Sequence, residues 1–418
     1  MSTSEQELRL EAIRRRLSGE SREHICQDLQ RSRRWFSKWW AEFRDNPHSQ
    51  LADHSGARLK GSPVISPELE EMVVGLRKTF EGASYGLIGA RSIRFRLLDL
   101  KVRPLPSEST IQRILARHGL THPLGAGAEG AYYPWLVAWQ ANAIMATDII
   151  TRHLKGGLEI QKFHTMDLFT QAAYLSQHLD KTTDTACAHL LGSWEKLGIP
   201  WIHQFDNEGS FCGGHTHPNV IGRMVRLCLW CGVEAIFTPV YEPKRNHQIE
   251  TFHGLWCKGC WNRQTFTSFS HVEAEVPNFT RWYHCEYRPP ELGGKTPEQM
   301  LDGLKLRKLT PDLRRHMPDL DKRLPLTKGR FHIMRRVDSS GQVRFLNQSW
   351  QVGANLSGHY VRATINTAHK SLTFLHKPSD QHNWQLIQNY SFPIDEPVHD
   401  LLPSFRQNSA RCVDCLPG

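Results

Sequence analysis

"WIHQFDNEGSF" occupies residues 201–211. Trp201 to Phe205 is a short, largely apolar run, the pattern of a buried strand, and it breaks at Asp206 into Asn207, Glu208, Gly209 and Ser210. Those last residues are turn formers, so the strand ends at its first carboxylate. The chain carries 52 Lys and Arg against 42 Asp and Glu, a net charge of +10. Acidic groups at the end of a buried strand in such a basic chain need a reason of their own.

The surrounding sequence supplies the frame. Upstream, "AIMATDIITRHL", "LEIQKFHTMDLFT" and "AAYLSQHLD" are rich in β-formers and separated by turn residues such as Lys155-Gly156-Gly157, and a helical stretch runs from Thr183 to Leu197. Downstream come a helix at about Asn219 to Cys231, a strand at Ala235 to Thr238 and a helix from about Arg245. A three-strand meander followed by alternating helices and strands predicts a mixed five-stranded α/β sheet with helices on both faces. Chemistry in such sheets belongs at strand ends.

Two more carboxylates fall where that rule points. Asp148 lies in "IMATDII", and Glu250 in "PKRNHQIETFHG", on the first turns of a helix after a proline. Asn246, Glu250, His253 and Cys257 share one face of that helix. Crowded carboxylates repel unless a cation neutralises them, and oxygen donors select Mg²⁺ or Mn²⁺. A pair of such ions about 4 Å apart can clamp both oxygens of an in-line phosphoryl displacement.

"TDII", "FDNEGSF", "KRNHQIETFH" and "WYHCEYRPPELGGKTPEQML", in that order and spacing, resemble the catalytic core of the DDE transposases of bacterial insertion sequences and of retroviral integrases. The resemblance spans residues 135–303 and implies a ribonuclease H-like fold. It implies that Asp148, Asp206 and Glu250 hold two Mg²⁺ or Mn²⁺ ions, with Asn207 and Asn246 as neighbours and Arg288, Pro289, Pro290, Thr296 and Pro297 as a downstream signature. The implied activity is 3′-end cleavage of DNA followed by strand transfer into a target, by a protein that multimerises on terminal inverted repeats. The chain departs from the pattern with 43 residues between Asp206 and Glu250 instead of thirty-five, and with Asp-Asn-Glu-Gly where Asp-Asn-Gly is usual. Met145 and Ala146 stand where relatives tend to have Trp.

The flanks agree with a DNA partner. Residues 1–45 predict a helix-turn-helix, with Leu8, Ile13 and Leu17 on an apolar face and Ser32 capping a last helix that carries Arg33, Arg34 and Lys38. Residues 46–65 form a linker with Arg58 and Lys60. Residues 66–120 predict a second helix-turn-helix domain, its final helix capped by Ser107 and exposing Arg113 and Arg117. After a Gly- and Ala-rich joint at 121–134 comes the core, 135–310, where Lys244 and Arg245 suit phosphate contacts. Short strands over 325–380 predict a small β-barrel, and 381–418 reads as a loose tail.

No apolar run reaches the length of a bilayer span, which predicts a soluble, cytoplasmic, nucleoid-associated protein with no membrane contact. Cys228-x-x-Cys231 and Cys257-x-x-Cys260, with His215 and His217 nearby, can be drawn as a zinc site. Both pairs fall on predicted helices, where thiols three apart commonly pack; Cys412-x-x-Cys415 lacks partners. The competing functions are a transposase-derived DNA-binding regulator without catalysis, and a ribonuclease H-like nuclease that cuts without joining.

Overall fold

The structure, a computed structural model, describes residues 5–47, 51, 65–83, 87–121, 132–206, 219–240 and 242–406, apart from the side chains of Pro243 and Lys244. Asn207, Arg58, Lys60, His215, His217, Cys412 and Cys415 lie outside the described residues. The chain divides into two compact units, 1–67 and 68–418.

Among the described residues the first unit contains three helices, α1 (Glu5–Leu17), α2 (Arg22–Asp28) and α3 (Arg33–Asp45). Ser21 and Ser32 cap the second and third, their hydroxyls accepting from the backbone N–H of His24 and Trp35. Ala12, Ile25 and Phe36 form its small core. The face of α1 differs from expectation: Leu17 is exposed and Arg9 is buried. The Arg9 guanidinium lies 3.9 Å from the Trp39 ring centre and donates to the Leu51 carbonyl at 2.9 Å, so its stem is packed while its charge is satisfied.

The second unit begins with α4 (Pro67–Gly82), α5 (Ala90–Asp99) and α6 (Glu108–Arg117). Ser107 caps α6 as its sequence predicts, accepting from Thr110 N–H. These helices do not stand alone as a domain: Arg263 donates to the Phe80 carbonyl at 2.5 Å, Arg91 to the Pro290 carbonyl at 3.2 Å and Arg288 to Asp99 at 2.9 Å. The physical reason is that their own core is too small, Ile93, Leu97, Ile111, Ile114 and Leu115, and the following α/β layer supplies the remaining partners.

The α/β layer holds β1 (Ile144–His153), β2 (Glu159–Asp167), β3 (Ala173–His178), α7 (Thr183–Leu197), β4 (Ile202–Phe205), α8 (Arg223–Trp230), β5 (Glu234–Phe237), α9 (His247–Gly259) and α10 (Phe269–Cys285). β1 to β3 form an antiparallel meander, and β4 and β5 run parallel to β1, giving the spatial order β3-β2-β1-β4-β5. This mixed sheet is consistent with the ribonuclease H-like arrangement. One face is covered by α7 and α8 around Leu190, Trp194 and Leu227, the other by α9 and α10 around Ile249, Trp256 and Phe279.

The sheet has nine strands, not five. After α11 (Pro297–Leu301), α12 (Pro311–Arg314) and the short β6 (Leu326–Thr327), β7 (Arg330–Arg336) pairs in parallel with β5, Ala235 opposite Phe331. The two-strand hairpin β8 (Gln342–Phe345) and β9 (Gln348–Gln351) follows, and then β10 (Tyr360–Asn366), β11 (Ser371–His376) and β12 (Gln385–Ser391) continue the sheet outward from β7. The expected separate small β-barrel is therefore, in its hydrogen bonding, an extension of the core. An uncovered β5 edge would leave backbone groups unpaired inside the hydrophobic layer, and β7 satisfies them. Glu234 secures the junction by accepting from Arg330 at 2.7 Å and His332 at 2.8 Å. The expected tail is likewise ordered up to residue 406: β12 is followed by the buried Phe392, Ile394 and Phe405.

Candidate active site

Side chains alternate along β1, so Ile144, Ala146 and Asp148 share the face under α9. The last parallel pair between β1 and β4 is Thr147 with Phe205, so the next residues, Asp148 and Asp206, follow side by side where those strands end their pairing. Across the other edge, Asp148 pairs with His164 of β2. A single 3₁₀ turn, Pro243–Asn246, swings the chain into α9, whose first turn carries Glu250. Ile249, Phe252 and Trp256 anchor that helix to the sheet and leave Glu250 facing the Asp148 edge.

Asp148 is buried; its Oδ1 accepts from the Ile149 N–H at 2.8 Å and its Oδ2 lies 3.6 Å from His253 Nδ1. The same Nδ1 is 4.0 Å from Glu250 Oε2, and donor atoms of Asp148, Glu250 and His253 all lie within 4.8 Å of one another. Burial raises the Glu250 carboxyl above its ordinary range, as expected of a carboxylate drawn into a partly dry site. The buried Asn246 accepts from Gln204 Nε2 at 2.7 Å and keeps Nδ2 without a partner. Burial, reinforced by Arg152, lowers His253 to about 3, so its ring is neutral and has a lone pair to offer. These are donors of the type that hold a divalent cation. The half-buried Asp206 stands beside them in the ladder, outside that 4.8 Å group.

One residue away, the opposite face of β1 is organised differently. Thr147 Oγ1 lies 2.5 Å from Thr165 Oγ1 and 2.6 Å from His203 Nε2, and Thr165 Oγ1 lies 2.8 Å from His189 Nε2. Trp194 Nε1 donates to His203 Nδ1 at 3.3 Å. An indole can only donate, so His203 carries its proton on Nε2 and donates to Thr147. The hydrogen bonds continue through Ser176, 2.7 Å from His189 Nδ1, to His178 Nε2 at 2.8 Å.

The basic residues singled out in the sequence meet different fates. Arg33, Arg34 and Lys38 are exposed on α3, and Arg113 is exposed on α6. Arg117 is tied to Glu70 at 3.0 Å. Arg245 is not free for a phosphate: it donates to Glu242 and to the Tyr360 hydroxyl, each at 2.9 Å, and lies 4.6 Å from the Tyr133 ring and 4.9 Å from that of Tyr360. It binds the start of the core to β10. The cysteine pairs do not meet: Cys228 and Cys231 are packed beneath one face of the sheet, Cys257 and Cys260 beneath the other. Among the described residues only Asp148, Glu250 and His253 form a cluster suited to a metal. His164 and Gln204 escaped the sequence, since only strand register and the approach of α9 bring them to the site. His253, by contrast, is visible at three residues from Glu250.

Residues 231–297 match the family described as Integrase core domain. That segment contains β5, Glu250 and Arg288 to Pro290, while Asp148 and Asp206 precede it. Among solved structures, the HTLV-2 integrase catalytic core domain in complex with magnesium, in a trimeric form, is similar at 15% identity, with 39% of this chain and 99% of that one covered and a TM-score of 0.30. Its dimeric form is covered to 97%, with the same identity and TM-score. The simian T-cell lymphotropic virus intasome in complex with the PP2A regulatory subunit B56 gamma gives 15% identity, 74% and 96% coverage and a TM-score of 0.33. No curated protein matches the chain. Over residues 231–297 the chain is thus similar to an integrase core domain. Among the described residues no helix is long and apolar enough to cross a membrane.

Proposed function

We propose that this chain is a DNA transposase that binds the ends of its element, cleaves at their 3′ ends in a metal-dependent reaction and transfers the strand to target DNA. The carrying observation is the convergence of Asp148 from β1 and Glu250 from the first turn of α9, with Asp206 next to Asp148 in the ladder. Asp148, Asp206 and Glu250 would hold two Mg²⁺ or Mn²⁺ ions, which when bound supply Lewis acidity to the attacking and leaving oxygens of a phosphodiester.

The chain's own residues do the positioning. Ile149 N–H fixes one oxygen of Asp148 and directs the other toward the site. Gln204 orients Asn246, whose remaining Nδ2 can donate to a phosphate oxygen. Because strands and an anchored helix carry the acidic groups, the reacting phosphate meets a preset geometry. Arg33, Arg34 and Lys38 present an exposed basic row on α3, suited to a DNA groove and its phosphates. Joining requires donor and target DNA held together, and a multimer on two ends provides that.

The test incubates the purified protein with labelled DNA from the flanks of its own gene and a supercoiled target, in Mg²⁺ and in Mn²⁺, beside Glu250→Gln. Metal-dependent 3′ cleavage and joined products, both missing in the variant, are expected. Cleavage without joining would assign a nuclease instead, and binding without cleavage in either metal a DNA-binding regulator.

A further inference from the structure

His253 stands between the two carboxylates and has no structural duty of its own. It follows Glu250 by one helical turn, is 4% exposed, and neither ring nitrogen has a hydrogen-bond partner. A buried polar group left unsatisfied is costly, so an apolar side chain in this position would serve packing better. The ring instead aims Nδ1 at Asp148 Oδ2, 3.6 Å away, and at Glu250 Oε2, 4.0 Å away. The His164 ring stands beside it, with the two centroids 4.8 Å apart. Ligands held about 2.1 Å from one ion stand roughly 3 to 4.3 Å apart. Three donors within 4.8 Å can meet that spacing with side-chain adjustments of under an ångström.

We propose that His253 is itself a ligand, through Nδ1, of the cation held by Asp148 and Glu250, making this a mixed nitrogen and oxygen site that favours Mn²⁺ over Mg²⁺. The inference rests on the reading of those carboxylates as cation ligands. Mg²⁺ is hard, keeps its waters and prefers oxygen, whereas Mn²⁺, at the start of the first-row series, takes an imidazole nitrogen more readily than Mg²⁺ does. With Nδ1 given to the ion, the ring proton resides on Nε2.

Pulsed electron paramagnetic resonance on the full-length protein loaded with Mn²⁺ reads this bond directly, through the modulation that a coordinated imidazole nitrogen imposes on the echo. Titration calorimetry with Mn²⁺ and Mg²⁺ gives the affinities. The wild type is expected to show the nitrogen modulation, His164→Phe to keep it and His253→Leu to lose it. His253→Leu should weaken Mn²⁺ on the order of tenfold, with Mg²⁺ changed by less than about threefold. Mn²⁺ bound in a manner abolished by Asp148→Asn, yet with no nitrogen coupling, would overturn the role of His253 and leave the carboxylate site standing. No Mn²⁺ binding by the wild type at millimolar metal would overturn both. The wild-type spectrum decides the matter even if His253→Leu does not fold.

Discussion

The two faces of β1 present adjacent residues to opposite chemical regimes. On the face of Thr147, every hydroxyl and ring nitrogen from Trp194 through His203, Thr147 and Thr165 to His189 and Ser176 is engaged in a hydrogen bond. On the face of Asp148, both nitrogens of His164, both of His253 and the Nδ2 of Asn246 are buried without a partner. Burial without pairing is expensive, and a chain that satisfies one face completely has the means to satisfy the other. The lesson is that buried groups without a protein partner collect on the face that carries Asp148, the face where the cation is proposed to bind.

The largest effect should fall on the acidic face. Asp148→Asn, Asp206→Asn or Glu250→Gln is expected to reduce cleavage and joining on the order of 10³-fold or more, a loss of about 4 kcal/mol of transition-state stabilisation. End binding by gel shift should be nearly unchanged. Full activity in any one variant would break the assignment of that residue.

Stability should respond differently on the two faces. Thr147→Val strips His203 and Thr165 of a buried partner and should cost about 1–3 kcal/mol in urea unfolding. His164→Phe removes groups that are already unpaired and should change stability by less than about 1 kcal/mol, in either direction. Equal losses in the two variants would erase the contrast.

Acid should act through the buried histidines of both faces, His203 among them. Burial lowers His203 to about 3, while the unfolded chain titrates it at its ordinary value of about 6.5. Between these values the unfolded state binds the extra proton, so stability falls as pH falls, by about 1.4 kcal/mol per pH unit for this group. Urea midpoints at pH 7, 6 and 5 should show the decline, and His203→Gln should make it shallower. A slope unaltered in that variant would assign the acid sensitivity elsewhere.

The smallest effect concerns the first unit alone. Arg33→Ala with Arg34→Ala should leave Mn²⁺ binding by the core intact and reduce the salt slope of DNA binding by about one for each phosphate no longer neutralised. An unchanged slope would remove α3 from the interface.

Local pattern was enough for much of this architecture. The helix expected over Thr183 to Leu197 is found at those residues, and the three meander strands and the strands flanking α8 lie where their turn residues bound them. Ser32 and Ser107 announce their caps by identity and spacing. Asp206 and Glu250 could be singled out because a strand end and a helix start are local features, whereas Asp148 lies inside β1 and stood out only through its motif. The helix α5 carries a local signal of the same kind, Ile93 and Leu97 four apart, yet was not among the expected elements.

Other features depended on partners far away in the chain. Nothing near residue 330 says that β7 will seek the edge of β5, some ninety residues earlier, because a strand's own pattern does not name its neighbour. Arg245 looks like a phosphate contact until Tyr133 and Tyr360 close around it. Sequence by itself determined most of the elements and the caps at Ser32 and Ser107, and it singled out the three carboxylates, since periodicity and turn chemistry act within a few residues. Only the tertiary structure decided which groups are left unpaired around Asp148, because hydrogen-bond satisfaction depends on every element that packs against a residue.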